Sequence, residues 1–398
     1  MEDKIFEGQF EEKLSIRNFF SIINFDWDIE NFNVLIGPTA CGKSIAMKLL
    51  YFFEKAPFFL EEAKREKKDI SSALNEKFNE IFFIKKDSEK KTCISENIQL
   101  NYSFGIKDSK EGSIFKLKAS WDKEKENIKW EPSINLENNE LTNFFPLNPV
   151  FIPACRTLAS VKPLDENVSY IQKDYFLKRF LDYKKKFLSK FNGLERSSNK
   201  SLDKIKKDLE DILDICNVEK NGEELIFRNK SDIERTSDNL ASGQAENLYL
   251  LPLICDMDYI KEKPLTSLFI EEPDAHLFPD NQLQVIKFLF EELNKVRKTK
   301  KESAFFISTH STYILDRICT VLLNDRAVKK GKEHLNELPC FSMNDVAVYV
   351  FKTNNNKETS FVEKLEIHEN GYFIVDPMMT TVNKMSEDNK KLFENIGA

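Results

Sequence analysis

The sequence predicts an α/β fold with a mostly parallel core sheet, an antiparallel β-subdomain and an inserted helical lobe. Three observations predict it. First, the apolar run Val34-Leu35-Ile36 leads into Gly37-Pro38-Thr39-Ala40-Cys41-Gly42-Lys43-Ser44 and then into Ile45-Ala46-Met47-Lys48-Leu49-Leu50, a succession of strand, G-x-x-x-x-G-K-S loop and helix. Second, Leu268-Phe269-Ile270 and Phe305-Phe306-Ile307 are continuous apolar strands, the pattern of a sheet buried on both faces. A helical stretch, 281–297, lies between them and sets a β-α-β rhythm. Third, residues 93–131 carry short strands separated by turn-rich pieces, which read as a β-meander.

The remaining elements follow in order. Residues 13–19 and 22–25 alternate and read as an antiparallel strand pair. After the glycine loop and its helix, residues 57–80 read as helical, with the mixed-charge run 61–68 as a solvated face. Val150-Phe151-Ile152 is a further buried core strand, ended by Pro153. Residues 165–235 are lysine-rich and are expected to be helical and strand-poor. Phe176, Phe180, Tyr183, Phe187 and Phe191 recur there at helical spacing, so one face is apolar. Residues 240–254 read as a helix whose N-terminus Ser242 caps. Residues 346–351 and 361–367 are the last strands, before a polar helical tail. Domain boundaries are expected at 1–160, 161–238 and 239–398.

Composition narrows the class. In 398 residues, 41% are hydrophobic and 31% charged, which suits a globular chain with a highly charged surface. No apolar run reaches the ~18 residues of a membrane span. Met1-Glu2-Asp3-Lys4 opens the sequence without an apolar h-region, so neither a signal peptide nor a membrane partner is expected. The seven scattered cysteines form no C-x-x-C pair, which points to reduced thiols and a cytoplasmic location and away from zinc or a disulfide framework. A net charge of −7 gives no global attraction to nucleic acid. Residues 173–207 are the local exception, with 12 Lys and Arg against four acids. Lys178, Arg179, Lys184, Lys185, Lys186 and Lys190 lie largely off the phenylalanine stripe. Two readings stay open: the solvated side of an amphipathic helix, or a landing surface for DNA phosphates or an acidic protein, with Lys184, Lys185 and Lys186 as the contact.

Four stretches carry chemistry. The loop from Gly37 to Ser44 turns successive N–H groups inward, and the following helix adds its positive end, which makes a nest for nucleotide phosphates. In that pattern Lys43 reaches the β- and γ-phosphates and Ser44 ligates Mg²⁺. The strand ending in Glu271-Glu272 delivers two carboxylates to the sheet edge that faces the phosphates. Glu271 would support Mg²⁺ and Glu272 would polarise an attacking water. His310 follows the neighbouring strand, in reach of a γ-phosphate. Ser242-Gly243-Gln244 opens a helix and forms a second anion site.

The order of these four stretches resembles the ABC-type ATPases, and within them the SMC/RecF/OLD-like branch. Residues 269–279, Phe-Ile-Glu-Glu-Pro-Asp-Ala-His-Leu-Phe-Pro, look like that branch's "EEPEAHLHP" element, and residues 307–315 like its "THSPYIL" element. The resemblance implies ATP and Mg²⁺ as cofactors and two sites at a head-to-head homodimer interface, or in a higher oligomer. It implies that Lys43 and Ser44 hold phosphate and metal, that Glu272 is the base, and that His310 reads the γ-phosphate. Ser242 and Gly243 would contact ATP in trans and Asp274 would cross the interface, with Gln244 in the same signature loop. The branch's Gln loop is expected after residues 151–153, where Ala154-Cys155-Arg156-Thr157 holds no Gln; two readings stay open, that Arg156 substitutes electrostatically or that this sensor is absent. Thr39-Ala40-Cys41 replaces the usual Asn-Gly-Ser. The insertion between Arg156 and Ser242 is too short for an SMC coiled coil. Asp256-Met257-Asp258 reads as a helix end and not as a nuclease metal site. Three functions compete: a stand-alone ATPase controlling a separate nuclease or toxin, as in PARIS- and Septu-type antiphage systems; a RecF-like DNA-repair clamp; and, disfavoured by the missing Gln loop, a transporter subunit.

Overall fold

In a computed structural model, the structure describes residues 10–82, 94–106, 113–125, 127–134, 149–154, 174–182, 207, 210–213, 217–221, 224–228, 234–236, 242–247, 250, 265–298, 302–354 and 359–366. Its strands are β1 (Phe10–Phe19), β2 (Ile22–Asp28), β3 (Phe32–Ile36), β4 (Ile94–Ile106), β5 (Ser113–Asp122), β6 (Asn127–Ile134), β7 (Val150–Ile152), β8 (Asn217–Asn221), β9 (Glu224–Arg228), β10 (Glu234–Thr236), β11 (Leu265–Glu271), β12 (Glu302–Thr309), β13 (Val346–Thr353) and β14 (Ser360–Lys364). The helices used below are α1 (Lys43–Glu66), α2 (Ile70–Phe82), α3 (Ser242–Asn247), α4 (Pro279–Lys298) and α5 (Thr312–Lys329).

Eleven strands form one sheet in the order β6-β5-β4-β1-β2-β14-β13-β3-β12-β11-β7. From β13 to β7 every neighbour is parallel. From β2 to β6 every neighbour is antiparallel. The predicted meander is therefore hydrogen-bonded into the same sheet as the core, through β1. Ile94, the last residue of one predicted short strand, and 98–102, the next one, lie in a single 13-residue strand, β4, while 92 and 93 are outside the described residues.

The parallel half is buried on both faces because its strands have no polar side. Phe269 and Phe306 stack at 4.4 Å between ring centroids toward α1. Leu268, Ile270, Phe305 and Ile307 point the other way, into the layer of α4 and α5. Each such fully buried side chain contributes about 1.5–3 kcal/mol. Around Phe52, α1 and α2 pack their aromatics against Trp130 of β6, which closes the core over the antiparallel half.

Two expectations are corrected. The helical stretch 57–80 is two elements. α1 runs through Pro57 to Glu66 and stops where Lys67 turns left-handed at φ 54, with the Lys68 N–H donating to Ala63 O. The lobe expected to be strand-poor contains a three-stranded antiparallel sheet, β10-β9-β8. Asn221 pairs with Glu224 there. With Asn221 opposite Glu224, the two-residue connection starts at Gly222, and a glycine in that place is a hairpin signal that the surrounding lysines mask in the composition. Phe176 and Phe180 are buried, as their spacing predicts. Tyr183, Phe187, Phe191, Lys184, Lys185, Lys186, Lys190, Arg156, the Asp256-Asp258 pair and the polar tail lie outside the described residues. Among the described residues no helix is long and apolar enough to cross a membrane.

Candidate functional site: the glycine loop, the acidic strand and His310

The C-terminal ends of β3, β11 and β12 lie side by side, and each opens into one part of the site. β3 ends at Ile36 and enters the glycine loop. Gly37 sits at φ 155 against β13, where a Cβ would lie 2.4 Å from Phe351 O. No other residue fits there, which fixes the loop's entry. Ala40 adopts φ 62 and Gly42 φ 99, and α1 begins at Lys43. Thr39 and Ala40 are exposed at the mouth, while Cys41 is buried.

Lys43 is the centre of the loop. Its Nζ donates to Gly37 O at 2.9 Å and Pro38 O at 2.8 Å, and lies 3.6 Å from Cys41 Sγ. Burial pushes the amine below its ordinary value, opposed by Cys41, Glu272 and Asp274. The same burial pushes the Cys41 thiol up against the pull of Lys43.

β11 brings Glu271 and Glu272 to the same edge. Glu271 is 4% exposed, and its Oε2 accepts the Ala154 N–H at 2.9 Å. Glu272 turns left-handed at φ 45 and its N–H donates to Ser308 O at 2.9 Å, which ties the two loops at their roots. His276 repeats the left-handed turn at φ 57. Each costs about 1 kcal/mol or more for a residue with a side chain. The turns are over-determined by Ala275 N–H to Glu272 O and Leu277 N–H to Asp274 O. Asp274 is 7% exposed and packs inward. Burial raises its carboxyl, a hydrogen bond with Thr309 holds it down, and Oδ1 has no partner among the described residues.

β12 ends in Ser308 and Thr309 and presents His310. Its Nε2 lies 3.2 Å from Glu272 Oε1. Lys43 Nζ lies 3.4–3.5 Å from the two ring nitrogens. Lys43 Nζ thus sits beside the imidazole about equally far from both nitrogens, and Nε2 is the nitrogen that faces Glu272. Three residues distant in sequence thus meet in one chain of contacts.

Ser242, Gly243 and Gln244 stand on α3. Gly243 backs directly onto the acidic loop, where a Cβ would lie 2.4 Å from His276 O. Gln244 Nε2 donates to Leu213 O at 2.7 Å, and Asn247 Nδ2 donates to Gly243 O at 3.1 Å. Gln244 therefore ties this helix to residue 213 of the inserted stretch.

Two features of the site escape a reading by motif. One is the Ala154 N–H on Glu271; its signal is only that β7 ends beside β11. The other is Gln282, which joins the acidic loop to the turn after His310. Its signal is a position three residues past Pro279, at the start of α4.

A family model described as an AAA ATPase domain matches residues 157–315. That stretch holds residues 242–244, 271–274 and 310, and begins beyond the glycine loop. No curated protein matches the chain. Among solved structures it is similar to an SMC head domain from Thermotoga maritima, at 12% identity and a TM-score of 0.41, over 90% of this chain and 99% of that one. It is similar to an SMC head bound to the C-winged helix domain of ScpA, at 14% identity and a TM-score of 0.45, over 90% and 98%. It is also similar to an Smc head with an extended coiled coil bound to the C-terminal domain of ScpA derived from Pyrococcus furiosus, at 13% identity and a TM-score of 0.42, over 94% and 99%. With an ATPase domain model over residues 157–315 and a G-x-x-x-x-G-K-S loop facing the acidic strand and His310, the chain is an ATP-binding ATPase with an α/β fold.

Proposed function

We propose that this ATPase is of the ABC type, uses Mg²⁺, closes its ATP sites across a head-to-head dimer, and controls a separate nuclease or toxin effector in prokaryotic antiphage defence. The observation that carries the ATP chemistry is the convergence of Lys43, His310 and Glu272 within hydrogen-bond reach. The effector role is supported by the resemblance of residues 269–279 and 307–315 to the SMC/RecF/OLD-like branch and by an insertion too short to span as a coiled coil. The RecF-like alternative draws on the basic stretch 173–207.

The residues fit a metal nucleotide. The entry to the loop at Gly37 leaves no room for a side chain, and Glu271 is buried with one oxygen fixed by a backbone N–H. Ser44 and Glu271 would hold the ion, which neutralises phosphate charge when bound. Lys43 supplies a positive charge to the phosphates. Glu272 takes the proton of the attacking water, and its contact with His310 holds the carboxylate in place for that transfer. His310 reports the γ-phosphate to the same carboxylate. Ser242 and Gly243 present the N-terminus of α3 to the partner protomer's nucleotide.

The test is a pair of variants. Glu272→Gln should bind ATP as the parent does, lose turnover 100-fold or more and accumulate as an ATP-dependent dimer. Lys43→Ala should lose binding. Turnover at the parent rate in Glu272→Gln, or a monomer with and without ATP, would refute the reading.

A further inference from the structure

The loop that carries Glu272 and Asp274 and the turn that carries His310 are bridged by one side chain that belongs to neither. The carboxamide of Gln282, in the first turn of α4, donates from Nε2 to Leu277 O at 2.9 Å. Its Oε1 accepts the Ser311 hydroxyl at 2.6 Å. The backbone N–H of Gln282 donates to Phe278 O at 3.1 Å. We propose that Gln282 is a positioning residue for ATP hydrolysis, a clamp that fixes the spacing of Glu272 and His310 without touching the nucleotide. The proposal rests on the role assigned above to Glu272.

The geometry asks for this side chain. One partner is a carbonyl, which needs a donor. The other is the Ser311 hydroxyl, which donates and so needs an acceptor, while the Ser311 backbone N–H is held separately by Thr309 Oγ1 at 2.9 Å. A carboxamide offers a donor and an acceptor about two ångströms apart at every pH, whereas a carboxyl of that length does so only when protonated. The clamp also has something to hold. Glu272 and His276 both sit in left-handed backbone, so the loop is under tension from its own dihedral angles. Gly243 of α3 rests on His276 O, so a shift of this loop also moves the signature helix. The Gln282 clamp therefore connects three parts of the site: the base, the histidine and the helix proposed to face a partner protomer.

A titratable isostere separates a clamp from a packing role. In Gln282→Glu the ionised carboxylate still accepts from Ser311 but repels Leu277 O. Protonated, it again donates to Leu277 O and accepts from Ser311, as the amide does. Gln282→Met keeps the length and removes both bonds at every pH. Full-length protein is assayed for kcat with ATP, for ATP affinity by calorimetry, and for hydrogen exchange over residues 272–278. Gln282→Met should lower kcat about tenfold or more, leave ATP affinity within twofold, and speed exchange at the Glu272 and Leu277 amides. Gln282→Glu should match Gln282→Met in kcat and exchange at pH 8, and its exchange should recover toward that of the parent at the same pH as pH falls through the ordinary carboxylate range to about 4. Parental kcat and exchange in Gln282→Met would overturn the proposal. So would equal losses in both variants across the whole pH range. The exchange arm reads the clamp even if Glu272→Gln hydrolyses ATP at the parent rate, so failure of the clamp and failure of the base assignment give different results.

Discussion

Glu12 of β1 and Glu54 of α1 face each other in the aromatic core, and replacing Glu12 by Gln should change how stability depends on pH. Glu54 is fully buried and Glu12 is 8% exposed. The Tyr102 hydroxyl of β4 donates to Glu12 Oε1 at 2.7 Å. Burial pushes Glu12 up from 4.5 to about 7, against the hydrogen bonds from Tyr102 and Glu54. Burial and then the charge of Glu12 raise Glu54 further, with Ser267 of β11 and Lys55 opposing. Two carboxylates cannot both ionise in such a site, so the pair shares a proton. The native state therefore holds more protons than the unfolded chain between pH 4.5 and about 7. The stabilisation from that proton is complete below 4.5 and is lost as pH rises through 7. At about 1.4 kcal/mol per pH decade, the interval is worth about 3 kcal/mol. Glu12→Gln keeps an acceptor for Tyr102 and removes one titration. Urea unfolding of parent and Glu12→Gln at pH 5, 6, 7 and 8 reads the difference. The variant should gain on the parent by about 3 kcal/mol from pH 5 to pH 8. A difference that stays within 1 kcal/mol over that range would refute the shared-proton account.

Two further outcomes follow from charge and contact. Gly243→Ala forces a Cβ against His276 O, so it should cost about 1–3 kcal/mol in urea unfolding; an unchanged midpoint would show that α3 does not rest on the acidic loop. Reversing Lys184, Lys185 and Lys186 to Glu removes six charges' worth of attraction from a stretch of local net charge +8. It should leave ATP hydrolysis intact and weaken binding to duplex DNA or an acidic effector, most at low salt; equal affinity at 50 mM salt would assign that face to solvent.

The parts of this molecule legible in sequence are those that local chemistry dictates. Gly37 reads out because no side chain fits beneath Phe351 O. Glu271 and Glu272 read out because an apolar run that ends in two acids marks a buried strand carrying charge to the edge of its sheet. Strands 268–270 and 305–307 read out because they carry no polar side. What stays hidden depends on distant pairing. β14 joins β2 in parallel across more than 300 residues, and that contact makes one sheet of what the sequence divides into core and subdomain. Gln282 looks like any polar residue on the exposed side of an amphipathic helix until Leu277 O and Ser311 are placed beside it. Glu54 leaves a faint mark, a lone acid closing the apolar run 49–53, but its partner Glu12 is 42 residues away.

The state of Lys43 shows what the site must do when ATP arrives. Two of the ammonium's three donors go to the carbonyls of Gly37 and Pro38, and His310 stands beside it. These bonds satisfy a buried cation, which would otherwise be too costly to keep charged. They also hold the amine inside the loop, so the side chain needs no large rearrangement to meet an anion. A phosphate oxygen replaces a neutral carbonyl as acceptor, and a hydrogen bond between two charged groups is roughly twice as strong as one to a neutral partner. The exchange is therefore favourable, and it is local. It also alters the next contact along the chain. An amine drawn toward phosphate would leave its place beside the His310 ring, while Glu272 stays within 3.2 Å of Nε2. Among the described residues, the contact that then remains to the imidazole is the one between Nε2 and Glu272 Oε1. Lys43, His310 and Glu272 are joined by two contacts, so on the reading proposed above a change at Lys43 reaches Glu272 through one imidazole.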